Sequence, residues 1–260
     1  MYTLLDRFEE ARHAGCPLGI RTTVNHAIRG EPMDHTEIYD SADRKETDKI
    51  NTLNEHLSDA EFLLKKNWTI QTIEFKLNMI DLELSNTYNR TVMQKVEHRI
   101  KKADSISRKL IKKGHAPTFE NAVRTLNDIV GIRVVCLYSD DVYKIAELLK
   151  QQKDFTLVNE KDYIKHPKKS GYQSLHLIMD VPLVFYDTTE YQRVEIQIRT
   201  VAMDFWAGVD NHICYKKSPE DIKKAEKDLK MYSSVISNID RQMLNLRKKV
   251  ENSFQAPSNL

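Results

Sequence analysis

The 260-residue sequence has few cysteines, no long apolar run and almost no excess of charge of either sign. Its three cysteines lack the C-x-x-C spacing of a zinc or redox site, so we expect free thiols of a reducing cytoplasm. No apolar stretch approaches the roughly 20 residues of a transmembrane helix. An acidic pair at positions 9 and 10 precedes any signal-peptide apolar region. These absences predict a cytoplasmic protein that does not enter a membrane.

The overall charge of the chain is nearly balanced and does not by itself indicate a polyanionic partner. Forty basic residues face 38 acidic ones, which leaves a formal net charge of +2. That balance does not require nucleic acid or an anionic membrane surface, so any phosphate site must come from local clusters. With 40% hydrophobic and 30% charged residues, the chain has enough apolar side chains to form the core of a globular protein.

Hydrophobic periodicity divides the chain into three parts. Residues 1–94 are predicted to be an N-terminal helical region, with one short helix and loop before about residue 43. Two amphipathic helices follow, with a phase break near Asn67-Trp68-Thr69. Residues 95–217 alternate short β-branched runs with helical stretches and predict an α+β catalytic core.

The third part, residues 218–260, predicts one long C-terminal helix. Its apolar residues from Ile222 to Val250 recur at three-four spacing and form a narrow seam. Such a seam either packs on the protein's own sheet or forms a subunit interface, and the pattern leaves both open.

Four strands and one helix are predicted within the middle part. Ile129 to Leu137 is almost continuously apolar, as expected for a strand covered on both faces. The other candidate strands and the helix between them are Phe155 to Val158, Ser174 to Val181, Arg193 to Arg199, and the helical stretch Asp141 to Lys150.

A basic face is predicted on a helix spanning His98 to Gly114. The residues that share this face, separated by four, four and three positions, are Lys101, Ser105, Lys109 and Lys112. Three ammonium groups and a hydroxyl suit a triphosphate. The alternative is an ordinary solvated helix surface. Arg99 is expected at the start of this helix, where its planar guanidinium could stack on a base.

Two carboxylates are the candidate catalytic groups. In Arg193 to Arg199 apolar and polar residues alternate, so Glu195 and Gln197 share a polar strand face that is either functional or merely solvated. Asp128 opens the apolar strand. Carboxylates beside a polyphosphate can hold Mg²⁺, and Glu195 could accept a proton from an attacking hydroxyl. Arg133 lies inside the apolar strand and needs an anionic or aromatic partner. That partner could belong to a bound ligand, or it could be a carboxylate of the protein in a purely structural salt bridge.

A basic turn that leads into a strand is the last candidate. Gly171 precedes Tyr172, which lets the backbone turn sharply and presents the ring at a strand edge. The tyrosine can stack on a base, while Lys168 and His176 can contact phosphate or ribose.

Four motifs in order resemble the synthetase domain of the RelA/SpoT family. They are R-x-K-x-x-x-S-I-x-x-K from Arg99 to Lys109, D-I-V-G-I-R from Asp128 to Arg133, S-G-Y-x-S-L-H from Ser170 to His176, and E-I-Q-I-R-T from Glu195 to Thr200. The flanking helices resemble those of the stand-alone small alarmone synthetases. The sequence contains no His-Asp dipeptide of the family's hydrolase domain.

The resemblance implies a nucleotidyltransferase-like fold with a mixed sheet, Mg²⁺ as cofactor, ATP as pyrophosphate donor, and GDP or GTP as acceptor. On the donor side it implies an adenine sandwich of Arg99 and Arg133 and a phosphate site of Lys101, Ser105, Lys109 and Lys112. It implies that Asp128 binds the metal and that Glu195 binds or approaches it and activates the ribose 3′-hydroxyl. It implies an acceptor site in which Tyr172 stacks on guanine and Lys168, His176 and Gln197 position the nucleotide.

The resemblance also implies a homotetramer, and two other functions stay open. Some relatives pyrophosphorylate the 3′ end of tRNA or an adenosine nucleotide, acting as toxins, and the donor-side motifs do not exclude this. A catalytically inactive nucleotide- or RNA-binding regulator is disfavoured, because both carboxylates and the lysine-serine face are present. Ordinary nucleotidyl transfer would need a Gly-Ser turn followed by closely paired aspartates on a strand, and the sequence does not show this combination.

Overall fold

The described part of the protein, residues 48–214 and 219–255 of a computed structural model, is built on one five-stranded mixed sheet. In chain order the elements are α1 (residues 48–57), α2 (Ala60–Tyr88), β1 (Met93–Ile100), α3 (Ala103–Lys112), α4 (Phe119–Thr125), β2 (Val130–Cys136), α5 (Ser139–Lys150), β3 (Thr156–Asp162), β4 (Leu175–Val184), β5 (Thr189–Thr200), α6 (Val201–Cys214) and α7 (Pro219–Gln255). The short helix and loop predicted before residue 43 lie outside the described residues.

The strands lie in the order β1-β2-β5-β4-β3. Strands β2 and β5 are parallel, and every other neighbouring pair is antiparallel. Their alternating side chains give the sheet one apolar face, which α2 and α5 cover. This arrangement confirms the predicted α+β fold with a mixed sheet.

The main core lies between that apolar face and the two helices. Ile132, Leu177 and Ile196 are 0–1% exposed and come from three neighbouring strands, while Ile73 and Leu77 of α2 are fully buried against them. A second cluster joins α1, α3 and α4 and includes the fully buried Ile106 and Leu110. It anchors α3 by its apolar side, so the opposite side of α3 is left for polar residues.

The predicted break near Asn67-Trp68-Thr69 is wrong, because α2 is continuous from Ala60 to Tyr88. The chain instead breaks at Asp59, whose side chain caps α2 by accepting a hydrogen bond from the Phe62 N–H at 2.9 Å. The helix continues through the change in apolar spacing because the buried Thr69 donates its hydroxyl to the Lys65 carbonyl at 2.7 Å. A polar residue on the buried side therefore does not interrupt the helix.

The predicted helix from His98 to Gly114 is wrong in its first part. The chain is extended through Ile100 as β1, and α3 begins only at Ala103. Pairing with β2 decides this, since Arg99 lies opposite Gly131 and the Lys101 N–H still donates to the Ile129 carbonyl at 2.8 Å. Ladder hydrogen bonds outweigh the local helical pattern.

The other predicted elements are found with shifted ends. The four predicted strands correspond to β2, β3, β4 and β5, of which β3, β4 and β5 are longer than predicted, and the predicted helix corresponds to α5. The pattern missed β1, α4 and α6. Helix α4 is only seven residues long and is held by its Thr118 cap, so it presents almost no periodicity.

Helix α7 uses only part of its predicted seam within the described chain. Leu229 is buried against Trp206 and Ala207 of α6. Ile236 is partly buried against the same cluster, whereas five other seam residues are 45–55% exposed; they are Tyr232, Ile239, Met243, Leu246 and Val250. The face that α7 turns toward the sheet instead carries the buried polar residues Ser233 and Asp240.

Two predictions drawn from scarce features can be compared with the described residues. Cys136, at the end of β2, is a free and buried thiol, and burial raises its pKa well above the ordinary value. Across residues 48–214 and 219–255 no helix combines the length and the apolar character needed to cross a membrane.

Candidate active site

The second face of the sheet is polar and brings most of the predicted site residues together. In the parallel β2–β5 pair, Gly131 lies opposite Glu195 and Arg133 lies opposite Gln197. On the other side of β5, His176 of β4 also lies opposite Gln197. Residues directly opposite each other point to the same side of a sheet. Positions from three strands therefore meet on one surface.

Asp128 lies just before β2 and is surrounded by lysines. Its Oδ2 accepts hydrogen bonds from the Lys101 Nζ at 2.5 Å and from the Lys109 Nζ at 2.7 Å. Asp128 is 5% exposed, and burial alone would raise the pKa of its carboxyl, but the two lysines more than offset that and lower it. The Oδ1 of Asp128 is buried and has no hydrogen-bond partner among the described residues.

Helix α3 has the predicted basic face, except that Lys101 lies outside the helix. Ser105, Lys109 and Lys112 lie on the helix side opposite the buried Ile106 and Leu110. Lys101 comes instead from the connection between β1 and α3 and reaches the same carboxylate as Lys109. Lys112 is exposed, one turn farther along the helix.

Glu195, in the middle of β5, is held at both of its oxygens. Its Oε1 lies 3.1 Å from the His176 Nδ1, and its Oε2 accepts from the Gln197 Nε2 at 2.7 Å. Burial and the charge of Asp128 act to raise the pKa of Glu195, but the bonds from His176 and Gln197 outweigh them and lower it. Glu195 is therefore ionised at neutral pH.

A chain of hydrogen bonds connects Glu195 to the tyrosine of the glycine loop. The Tyr172 hydroxyl lies 2.9 Å from the His176 Nε2 and accepts from the Arg199 Nη2 at 2.9 Å. With the His176 Nδ1 donating to Glu195 and its Nε2 accepting from the Tyr172 hydroxyl, every bond from Arg199 to Glu195 has one donor and one acceptor. Burial raises the pKa of Tyr172, so its hydroxyl keeps its proton.

The ring of Tyr172 is already in contact with cations. The Lys168 Nζ lies 4.7 Å from the ring centroid and the Arg199 guanidinium carbon 5.4 Å from it. Burial also lowers the pKa of Lys168. The Tyr172 ring thus lies beside both the Lys168 ammonium group and Arg199, and its hydroxyl contacts His176.

Two arginines border the polar face on its β1 side. The side chain of Arg99 passes over Gly131, where a Cβ would lie 3.5 Å from the Arg99 Nε. Arg133 has the anionic partners that its position requires, since its Nη1 lies 3.3 Å from the Glu97 Oε2 and 3.5 Å from the Asp204 Oδ1. The salt-bridge alternative for Arg133 is therefore present in the structure, and it leaves the guanidinium half-exposed on the site's face.

Comparisons with known proteins decide the family. A family model described as "Region found in RelA / SpoT proteins" matches residues 98–220. GTP pyrophosphokinase YwaC from Bacillus subtilis (strain 168) is 34% identical over 189 residues, covering 73% of this chain and 90% of the relative. The chain belongs to the RelA/SpoT family. GTP pyrophosphokinase YjbM from the same organism is 33% identical over 195 residues, covering 75% of this chain and 91% of the relative.

A solved RelA/SpoT structure agrees with the fold. The crystal structure of small alarmone synthetase 1 from Bacillus subtilis bound to its product pppGpp aligns with a TM-score of 0.65 at 32% identity. The alignment covers 74% of this chain and 97% of that one. The resemblance to small alarmone synthetases and the predicted fold class are both confirmed.

Three residues of this RelA/SpoT site were not predicted from the sequence. Arg199 is 2% exposed and also donates to the Gln197 Oε1 at 2.6 Å. Asp204 of α6 accepts from Arg199 at 3.3 Å, and Glu97 of β1 accepts from Arg133. Arg199 could have been found, since it ends the polar alternation of β5. Glu97 was missed because no strand was predicted at residues 93–100, and Asp204 was missed because α6 was not predicted.

Proposed function

We propose that this protein is a (p)ppGpp synthetase, which transfers the β,γ-pyrophosphate of ATP to the 3′-hydroxyl of GDP or GTP and releases AMP. The observation that carries the proposal is that the Asp128–lysine cluster and the Tyr172–His176–Glu195 chain meet on one sheet face. The relatives named GTP pyrophosphokinase, and a structural neighbour bound to pppGpp, support the same reaction.

In this proposal the donor side binds ATP. It consists of Arg99, Lys101, Ser105, Lys109, Lys112, Asp128 and Arg133. The ammonium groups and the serine hydroxyl contact the phosphate oxygens, and the planar guanidinium groups of Arg99 and Arg133, which lie on adjacent strands, enclose the adenine. Because Lys101 and Lys109 already point at one carboxylate, their charges are in place before the substrate arrives.

The acceptor side binds the guanosine nucleotide. It consists of Lys168, Tyr172, His176, Glu195 and Gln197. The Tyr172 ring stacks on guanine, while Lys168 and His176 contact the acceptor's phosphates and ribose and Gln197 positions the sugar. The hydrogen bonds that the Tyr172 hydroxyl forms with Arg199 and His176 fix the orientation of the tyrosine, which reduces the ordering needed when the nucleotide binds.

The reaction is an in-line displacement at the β-phosphorus of ATP. The 3′-oxygen of the acceptor forms a bond to that phosphorus while the bond to the oxygen bridging the α- and β-phosphates breaks, and AMP leaves with the electron pair. Glu195, ionised because its pKa is lowered, takes the proton of the 3′-hydroxyl. Lys101 and Lys109 stabilise the charge that develops on the phosphate oxygens, so the protein contributes mainly positioning and electrostatics.

The residues present also fit a magnesium ion. The buried Oδ1 of Asp128 has no hydrogen-bond partner among the described residues, and the charge of Asp128 acts directly on Glu195. Mg²⁺ is commonly held by one or two carboxylates together with substrate phosphates. When bound, it would neutralise charge on the transferred pyrophosphate, with Asp128 and Glu195 as its protein ligands.

We further propose a cytoplasmic homotetramer. The exposed seam of α7 supports an assembly, and α2 has its own exposed apolar residues, Leu64, Phe75, Met79 and Leu82, each 53–64% exposed. Light scattering of the full chain at micromolar concentration tests this. A mass of four chains, lost in Met243→Glu, is the expected result, and a monomeric wild type would contradict the assembly.

The reaction itself is tested by following label from γ-labelled ATP with Mg²⁺ and GDP, GTP or uncharged tRNA. Label in a guanosine tetra- or pentaphosphate with release of AMP is the expected outcome. Label on tRNA would identify a toxin-type relative, and the absence of transfer to any acceptor would indicate an inactive binding protein.

A further inference from the structure

The glycine loop that presents Tyr172 is hydrogen-bonded to serine side chains of the C-terminal helix α7. Along α7 the polar residues Ser233, Ser237 and Asp240 follow one another at spacings of four and three and lie on the side that faces the sheet. This helix brace, as we call these three residues, is on a face of α7 different from the exposed apolar seam.

Gly171 is the point of closest approach between the loop and α7. Its φ is +96°, and a Cβ at this position would lie 2.7 Å from the Ser233 Cβ and 3.2 Å from the Lys230 Cα. The Ser233 hydroxyl donates to the Gly171 carbonyl at 2.6 Å in a buried environment. Only glycine permits both this backbone conformation and this contact.

Gln173, on the other side of Tyr172, is held by the same helix. Its Nε2 donates to the Ser237 Oγ at 2.5 Å and also lies 3.3 Å from the Ser233 Oγ. Ser237 in turn donates to the Ser233 carbonyl at 2.8 Å. The residues immediately before and after Tyr172 are thus both bonded to α7.

A second attachment joins α7 to the end of the central strand. The hydroxyl of Thr200, the last residue of β5, donates to the Asp240 Oδ2 at 2.9 Å and accepts from the Met203 N–H at 3.2 Å. Asp240 is 7% exposed. Helix α7 is therefore registered against β5, the strand that carries Glu195, and against the Tyr172 loop at once.

We propose that Ser233 and Ser237 of α7 are positioning residues for the acceptor nucleotide: they hold the Gly171–Gln173 backbone so that the Tyr172 ring is fixed relative to Glu195. The inference rests on the proposed function, whose acceptor side contains Tyr172 and Glu195. The proposal gives α7, which lies outside the four sequence motifs, a role in positioning the acceptor nucleotide. Among the described residues, the bonds of the brace go to the Gly171–Gln173 loop, to Thr200 and within α7, so we expect its loss to affect only the acceptor nucleotide.

The test compares Ser233→Ala with Ser234→Ala, an exposed neighbour on the same helix whose hydroxyl donates to the Lys230 carbonyl of that helix. Steady-state kinetics are measured with each substrate varied in turn. In Ser233→Ala the buried Gly171 carbonyl loses its partner, so we expect the KM for GDP or GTP to rise about tenfold. The KM for ATP and kcat stay within about threefold of the wild type, as do all parameters of Ser234→Ala.

Ser237 provides an independent variant that leaves the Ser233–Gly171 contact intact. Ser237→Ala should raise the acceptor KM about threefold, and Ser237→Thr, which restores a hydroxyl for Gln173, should return it to the wild-type value. A thermal unfolding scan accompanies each variant. Equal kinetics for Ser233→Ala and Ser234→Ala overturn the proposal, as does a parallel loss of ATP and acceptor affinity in Ser237→Ala.

Failure of the brace and failure of the proposed reaction give different results. A wild-type protein that transfers no label to guanosine nucleotides contradicts the proposed function. Calorimetric binding of GDP, which requires no turnover, still decides the brace: a tenfold weaker affinity confined to Ser233→Ala supports it, and equal affinity in Ser233→Ala and Ser234→Ala overturns it.

Discussion

The donor side and the acceptor side are organised by different kinds of interaction. On the donor side, Lys101 and Lys109 converge on the single carboxylate of Asp128. On the acceptor side, a sequence of hydrogen bonds runs from Arg199 through Tyr172 and His176 to Glu195. The first arrangement depends on charge, and the second depends on the direction of each donor and acceptor. Substitutions should therefore act differently on the two sides.

Asp128→Asn should have the largest effect. The Asp128 carboxylate lies between two partly buried lysines and is the group that we assign to the metal. Because the substitution removes its negative charge, we expect kcat to fall on the order of 1000-fold. Initial rates at saturating ATP and GTP, with a circular dichroism spectrum, measure this. Asp104→Asn, at an exposed position in the first turn of α3, is the matched control and should retain wild-type turnover. Equal rates for both variants would remove Asp128 from the mechanism.

Glu195→Gln should have the next largest effect. The amide keeps the shape of the side chain but cannot accept the proton of the 3′-hydroxyl, so kcat should fall about 100-fold with little change in either KM. Glu190→Gln on the same strand, where the carboxylate pairs with Lys65 far from the site, is the control. If Glu195→Gln instead raised the acceptor KM and kept kcat, the residue would bind the nucleotide and another group would be the base.

Tyr172→Phe should have a smaller effect that is confined to the acceptor. The ring remains available for stacking, but Arg199 and His176 lose their shared partner, so we expect kcat/KM for GTP to fall about tenfold while the KM for ATP is unchanged. Tyr191→Phe, at an exposed position of β5, should match the wild type. An equal loss of affinity for both substrates would show that the two sides are not independent.

The smallest expected effect on activity comes from replacing Lys66, a buried lysine whose hydrogen-bond partner is an amide. Lys66 sharpens the comparison with Lys101, which is bonded to a carboxylate. Lys66 donates to the Gln192 side-chain carbonyl, and burial lowers its pKa from the ordinary 10.5 to about 8. Between those two values the unfolded chain holds a proton that the folded protein does not, so folding stability rises with pH in that range. Below about pH 8 both states are protonated and the cost of burying the charge is constant.

Lys66→Met should therefore be more stable than the wild type at pH 7, by about 2 kcal/mol, and the difference should shrink as pH rises toward 10.5. Urea unfolding of both proteins at pH 7, 8.5 and 10 measures it, and activity at pH 7 should be unchanged. A difference that stays constant with pH would mean that Lys66 is not desolvated enough to affect folding.

The sequence was sufficient for the central elements and for most of the candidate site. Strand β5 could be predicted because its alternation reflects a face buried on the core and a face left polar, a contrast that local spacing records. The relation of Ser105, Lys109 and Lys112 could be predicted for the same reason, since helical spacing alone places them on one side. The four motifs supplied the expected roles, which remain predictions for each residue.

The sequence was misleading where pairing partners far along the chain decide the structure. No strand was predicted at residues 93–100, and the last three were assigned to a helix, yet all of them form β1 because β2, 30 or more residues later, offers an edge for hydrogen bonds. The contribution of Glu97 could not be predicted without that strand. The break between the two N-terminal helices was predicted near Thr69 and lies instead at Asp59, because the buried Thr69 hydroxyl bonds to the Lys65 carbonyl within α2.

The sequence by itself therefore determined which residues share a face of a strand or helix, where most of the core strands lie and which family motifs the chain carries. Only the tertiary structure decided that Lys101 and Lys109 share one carboxylate, that Arg199 supports Tyr172, and that α7 turns its serines toward the glycine loop. The physical reason is that periodicity encodes the two sides of a single element, whereas the partner on each side is set by backbone pairing and packing between elements distant in sequence.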